Sequence, residues 1–128
     1  MRDDVVAAFM DINPVTRGHL LVVPIEHTVL LGETPQGTRD LLFAAAVALG
    51  EAARASSFEP AGINLFVADG EAAGQEVPHV HVHVIPRFRG DGFTVDALAW
   101  RSPRPARDVL DQHAATLRNA FAGYSRQA

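Results

Sequence analysis

The sequence predicts one domain that mixes short β-strands with two helices, and three observations predict it. Four short segments rich in β-branched and other apolar residues, at positions 5–10, 19–24, 62–67 and 79–85, are each bounded by turn-forming residues. Two longer stretches, around positions 34–56 and 106–122, carry their apolar residues at helical spacing. The chain has 128 residues, of which 48% are hydrophobic and 20% charged, which suits a single core.

The same numbers exclude several classes of function. A net charge of −4 does not suit a general binder of nucleic-acid backbone. The chain has no cysteine, so disulfide frameworks, Cys nucleophiles and thiolate zinc sites are ruled out, and a reducing cytoplasm fits. No apolar run reaches the ~20 residues of a membrane span. The start, Met1-Arg2-Asp3-Asp4, is acidic and does not read as a signal peptide. A cytoplasmic protein without membrane or nucleic-acid partners is expected.

In chain order, Val5 to Met10 reads as a strand that stops at Asp11-Ile12-Asn13-Pro14. Asp11 and Asn13 sit where strand meets loop, and each can bond its own backbone as an ordinary turn residue. Thr16-Arg17-Gly18 turns the chain into a second strand from His19 to Pro24. A hairpin of the two is the simplest pairing. Because Leu20 to Val23 are all apolar, this strand is expected to be central and buried on both faces. His19 opens that strand as a hydrogen-bonded structural residue, and His27 reads as a surface loop histidine.

Thr34-Pro35 looks like a helix start, with Thr34 capping and Pro35 in the first helical position. Apolar residues at 41, 42, 45, 49, 52 and 53 continue the helix to about Ser56-Ser57, and its many alanines allow close approach to the sheet, a partner subunit, or both. Gly62 to Val67 reads as a third strand. The loop that follows holds Gly70 and Gly74, whose neighbourhood offers backbone N–H groups to an anion. Arg87 to Phe93 reads as a solvated turn, and the last helix is expected to end at a Gly123 cap.

The most informative stretch is His79-Val80-His81-Val82-His83-Val84-Ile85. On a strand the three histidines would share one face and the three valines the other, with imidazoles roughly 6–7 Å apart at ~3.3 Å rise per residue. The valine face suits a core, whereas three titratable rings are costly as packing. Two chemistries want such a row. Two of the imidazoles could chelate a divalent ion, with His19, Asp11 or Asp91 completing the set. Alternatively, a histidine could attack phosphorus, provided its far ring nitrogen donates to a fixed acceptor and a flanking histidine protonates the leaving group. His81 is flanked on both sides. The anion-accepting loop and the lack of an acidic ligand cluster favour the second chemistry; a merely solvated row on an edge strand is the plain alternative.

These residues resemble the histidine triad (HIT) signature, His-x-His-x-His followed by two apolar positions. The run from Asp11 to His27 is similar to that family's first strand–turn–strand block, the run from Asp69 to Val77 to its phosphate loop, and Pro86-Arg87 also fits. The resemblance implies an α+β, HIT-like fold: an antiparallel sheet of about five strands, one long helix and a C-terminal helix, as one domain over residues 1–128 with the family's N-terminal segment shortened or absent. It also implies a homodimer that binds nucleotides and cleaves at a nucleoside α-phosphate in phosphoramidates, acyl-adenylates or dinucleoside polyphosphates, without metal or other cofactor. A nucleotide-binding or scaffolding protein with little catalysis is the alternative.

By position, His81 would become nucleotidylated, His83 would contact the α-phosphate and assist the leaving group, and His79 and His19 would orient the row. Gln75 and the amides near Glu76 would hold phosphate. Asp11, with its turn partner Asn13, would hold the ribose, and Phe9, Met10 and Ile12 would line a base pocket. Two positions depart from the family pattern. Ala68 stands where Asn or Gln is usual, with Asn64 on the same face but farther off, and Glu76 stands where some members have Ser or Thr.

Overall fold

The computed structural model describes residues 1–96, 99 and 101–124, which form two compact units, Met1–Phe93 and Thr94–Ala128. The first is an α+β unit. Its strands are β1 (Val6–Met10), β2 (Leu20–Pro24), β3 (Gly62–Phe66) and β4 (Val82–Arg87), and its helix is α1 (Gln36–Ala55). All pairings are antiparallel and the strand order is β1-β2-β4-β3. The sheet thus has four strands rather than about five. At the outer side of β1 only an isolated Arg2–Ala7 bridge forms, where the chain turns tightly at Asp3. Asp3 Oδ1 accepts the amides of Val5 and Val6, each at 2.8 Å, and these bonds hold its carboxyl below the usual carboxylate range.

The β1–β2 hairpin forms as expected, with Phe9 opposite Leu21 and Met10 opposite Leu20. Its second strand is central, but only Val22 and Pro24 are fully buried; Leu20, Leu21 and Val23 are half-buried. The correction has a simple cause. A continuous apolar run suits a strand with one face on a core and the other on an apolar cavity as well as one buried twice.

The core lies between the sheet and α1. Val80, Val82 and Val84 turn inward beside Val6 and Val22, against Leu42 and Ala46 of the helix. Leu42, Ala46 and Gly50, four residues apart, form the helix's buried ridge. At Gly50 the helix comes so close to β3 that an added Cβ would lie 3.4 Å from Ile63 Cγ2.

The start of α1 differs from expectation. Pro35 occupies the N-cap and no side chain caps the helix. The buried Thr34 hydroxyl instead pairs with Thr28 Oγ1 at 2.8 Å and with the Leu30 carbonyl at 3.1 Å, closing the preceding loop. At the other end, Ser56 Oγ accepts the Phe58 amide at 3.2 Å and donates to the Ala53 carbonyl at 2.7 Å.

The loop after β4 is not a loosely solvated turn. Arg87 bonds both carboxylate oxygens of Asp91, at 2.8 and 2.9 Å, as well as Asn64 Oδ1 at 2.5 Å and the Phe93 carbonyl. Asn64 is therefore committed to Arg87. These bonds hold the Asp91 carboxyl well below its usual range.

In the second unit, α2 (Arg107–Tyr124) carries an Arg107–Asp111 ion pair. Gly123 lies within this helix rather than capping it. No helix among the described residues is long and apolar enough to cross a membrane.

Candidate functional site

The histidine row begins before the strand does. β4 starts at Val82, so of the three histidines only His83 belongs to the ladder, paired with Leu21 on one side and Phe66 on the other. His79 and His81 lie in irregular chain, yet the alternation persists: Val80 is 2% exposed while both neighbouring histidines are half-buried. The rings turn toward one another more than an ideal strand would place them. The centroids of His81 and His83 are 4.9 Å apart, in edge-to-face orientation.

Hydrogen bonds fix where the ring protons sit. His81 Nδ1 is 2.8 Å from the His79 carbonyl, which can only accept. The proton is therefore on Nδ1, and Nε2 keeps its lone pair. His19, 2% exposed, accepts the Val15 amide on Nδ1 at 3.1 Å. Its proton is thus on Nε2, which donates to His83 Nδ1 at 3.0 Å. His83 in turn must carry its proton on Nε2. The site holds a lone pair on one ring and an N–H on the next, both set by backbone groups. His79 Nε2 donates to the Pro24 carbonyl at 3.0 Å.

Burial lowers the pKa of His19, opposed by the Asp11 carboxylate 3.6 Å away. His83 is lowered first by burial, then by repulsion from His81 and His19, again opposed by Asp11. Both shifts favour the neutral rings that the hydrogen bonds require.

Asp11, His19 and His83 also place ligand atoms within 4.8 Å of one another, the spacing of a possible metal set. The proton positions suit it poorly. An imidazole ligates through an unprotonated nitrogen, and His19 presents Nε2–H to the cluster while Val15 occupies Nδ1. Asp91, a further candidate ligand, is bound to Arg87 instead.

A cavity of about 500 Å³ opens beside the row. Phe9, Met10, Asp11 and Ile12 line it, together with His79 and His81. Leu21, Val23 and Val77 line it too and were not anticipated. Residue parity could have found them: Leu21 and Val23 alternate with buried Val22 and Pro24, and Val77 shares the parity of His79. Asn13 is exposed and outside the lining; its amide bonds Asp11 Oδ1 at 2.7 Å, so Asp11 does serve as a turn residue.

Gln75 and Glu76 line a different cavity, of about 740 Å³, with Gly70, Gly74 and Pro78. The Gln75 carboxamide accepts the Gly70 amide and donates to the Val29 carbonyl, each at 2.8 Å. The amides of Ala73, Gly74 and Gln75 bond within the loop, around the single 3-10 turn Glu71–Ala73. This loop is braced internally more than the glycines suggested. Ala68 is 5% exposed. A larger polar residue there would be buried.

Residues 1–90 match the HIT domain family. An uncharacterized HIT-like protein of Borreliella burgdorferi is 46% identical over 92 residues, covering 71% of this chain and 66% of that protein. The asymmetrical bis(5'-nucleosyl)-tetraphosphatase of Schizosaccharomyces pombe is 38% identical over 86 residues, covering 66% and 46%. The crystal structure of a HIT family protein from Bacillus anthracis superposes with a TM-score of 0.82 at 34% identity, covering 94% of this chain and 84% of that one. The matched stretch spans just under two thirds of the Borreliella protein and under half of the tetraphosphatase.

Proposed function

Since the chain belongs to the HIT domain family, we propose that it binds a nucleotide and acts as a hydrolase or transferase at the nucleoside α-phosphate, through a nucleotidyl-histidine intermediate on His81. The observation that carries this reading is the bond from His81 Nδ1–H to the His79 carbonyl. It leaves Nε2 as a nucleophile of fixed tautomer on the wall of a nucleoside-sized cavity. His81 Nε2 attacks phosphorus and forms an N–P bond as the bond to the leaving group breaks. His83 Nε2–H donates a hydrogen bond to the departing atom, which takes its proton from water, so the His83 ring stays neutral. Water then attacks the adduct, the N–P bond breaks, and the nucleoside monophosphate is released; another acceptor in place of water makes the reaction a transfer. The apolar lining suits a base, and Asp11 at its rim suits ribose hydroxyls. The named activity of the Schizosaccharomyces pombe relative supports the substrate class.

The experiment is intact-mass analysis after brief mixing with an AMP phosphoramidate, comparing wild type with His81→Ala. A transient AMP adduct absent from the variant, with free AMP released, is the expected result. Neither adduct nor turnover with any phosphoramidate, acyl-adenylate or dinucleoside polyphosphate would sink the enzymatic reading. The loop amides and the Gln75 carboxamide, bonded internally, favour a second reading: a nucleotide-binding protein with little catalysis. It predicts binding without adduct, and is excluded if His81→Ala abolishes turnover while still binding AMP.

The reading includes a homodimer. Phe43 and Val47, four residues apart, leave an apolar strip exposed on α1, and the outer edge of β3 is unpaired among the described residues. Sedimentation giving a monomer at all concentrations would refute that part.

A further inference from the structure

His27 is exposed in the loop after β2, as expected of a surface loop histidine, yet its ring is held by specific contacts. Residues 77–81 lie outside the sheet, so no ladder fixes the backbone that carries His79 and His81. The end of β2 and the loop leaving it grip this segment instead. The Thr28 carbonyl accepts the Val80 amide at 2.9 Å and the Pro24 carbonyl accepts His79 Nε2–H at 3.0 Å. Between them, His27 Nε2 donates to the Pro78 carbonyl at 2.9 Å, and its ring lies 5.2 Å from that of His79. Of these three hydrogen bonds, His27 provides the only one donated by a side chain of the gripping loop. The His79 amide folds back to the Val77 carbonyl at 2.8 Å, making a tight turn at Pro78.

We infer that His27 is a positioning residue, which holds the Pro78–His79 turn so that the His79 carbonyl stays aimed at His81 Nδ1. The logic follows the peptide planes. The peptide between His79 and Val80 is held by Thr28 through its N–H and offers its carbonyl to His81. The peptide before it, between Pro78 and His79, is held by His27. Release of that plane lets the next one rock, and the acceptor that keeps the proton on His81 Nδ1 moves with it. A donor is needed here because Pro78 itself has no N–H with which to brace the turn. His27 touches neither reacting atom, and its effect passes through His79 to His81. The kinetic consequence rests on the reading of His81 as nucleophile; the effect on the ring proton does not.

The test compares wild type with His27→Ala, which removes donor and ring, and His27→Gln, whose amide nitrogen can reach where Nε2 lies. Long-range ¹H–¹⁵N correlation of the histidine rings reads the His81 tautomer directly. The expected result is a nearly pure Nδ1–H tautomer in wild type, a mixture in His27→Ala, and recovery in His27→Gln. With AMP phosphoramidate, the rate of adduct formation should fall about tenfold in His27→Ala, as for one lost hydrogen bond, while AMP affinity stays within about twofold. A wild-type tautomer population in folded His27→Ala overturns the inference, whatever the activity. If no compound is turned over, the enzymatic reading fails by itself, and the ring spectra alone decide the role of His27.

Discussion

Replacement of His19 tests the relay from backbone to His83 without relying on any activity. The side chain is 2% exposed and bonded at both nitrogens. In His19→Ala the Val15 amide loses its acceptor and His83 Nδ1 its donor; a partner left unmade costs about 1–3 kcal/mol each. Loss of the packed ring adds about 1–2 kcal/mol. His83 is half-buried and water can compensate it in part, so the sum falls at about 3–5 kcal/mol. That is a large fraction of the ~5–15 kcal/mol that holds a domain together. His19→Asn separates the terms. Its side-chain oxygen can sit near the Nδ1 position and accept the Val15 amide, while the link to His83 stays broken, so about 1–2 kcal/mol should return. The assay is urea unfolding at pH 7.5, with midpoints and slopes for both variants. A loss below about 1 kcal/mol in His19→Ala, or no recovery in His19→Asn, would refute the reasoning.

Stability should also depend on pH through the same pair. Burial lowers the pKa of both His19 and His83, so below the ordinary histidine value the unfolded chain binds protons that the folded chain refuses. Their contribution is complete above about pH 6.5 and is lost as pH falls from there toward the folded values, at most about 1.4 kcal/mol per pH unit for each group. Urea midpoints that stay flat from pH 8 to 5 would contradict this. Arg87→Lys keeps the charge but cannot span Asp91, Asn64 and the Phe93 carbonyl together, so the melting temperature should fall and the 88–93 loop should be cleaved faster in limited proteolysis. Gly50→Ala places its methyl in ordinary contact with Ile63 at 3.4 Å and should stabilise by about 0.5–1 kcal/mol, whereas Gly50→Leu should destabilise by about 1–3 kcal/mol. Thermal melts that shift the same way for both would argue against the close packing of α1 on β3.

Much of the fold was legible because burial leaves periodic marks. The period of two at Val80, Val82 and Val84 and the four-residue spacing of Leu42 and Ala46 each state which face meets the core, and they meet each other. Errors arose where one pattern serves two environments. The apolar run of β2 fits a doubly buried strand, but Leu21 and Val23 face a cavity that also wants apolar walls. Thr34-Pro35 fits a helix cap, but the Thr34 hydroxyl finds Thr28 and Leu30, partners set by how the loop closes. The fifth strand came from family likeness, and the β1 edge carries only the Arg2–Ala7 bridge.

The site was legible to a different depth. Which side chains gather was readable, since a row of histidines beside a glycine loop is a composition few structures would tolerate without use. Where their protons reside was not, because the groups that decide it are backbone: the Val15 amide on His19, the His79 carbonyl under His81 and the Pro24 carbonyl under His79. A backbone group has no letter of its own, and its direction depends on where the ladder stops. Had β4 begun at His79, sheet bonds would have directed these peptides. It begins at Val82, so the peptides just before it are free to face side chains, and the carbonyl that holds the His81 proton is one of them. The motif's alternation therefore serves two ends: valines anchor the segment on the core, while the missing ladder leaves a carbonyl for the histidine to use.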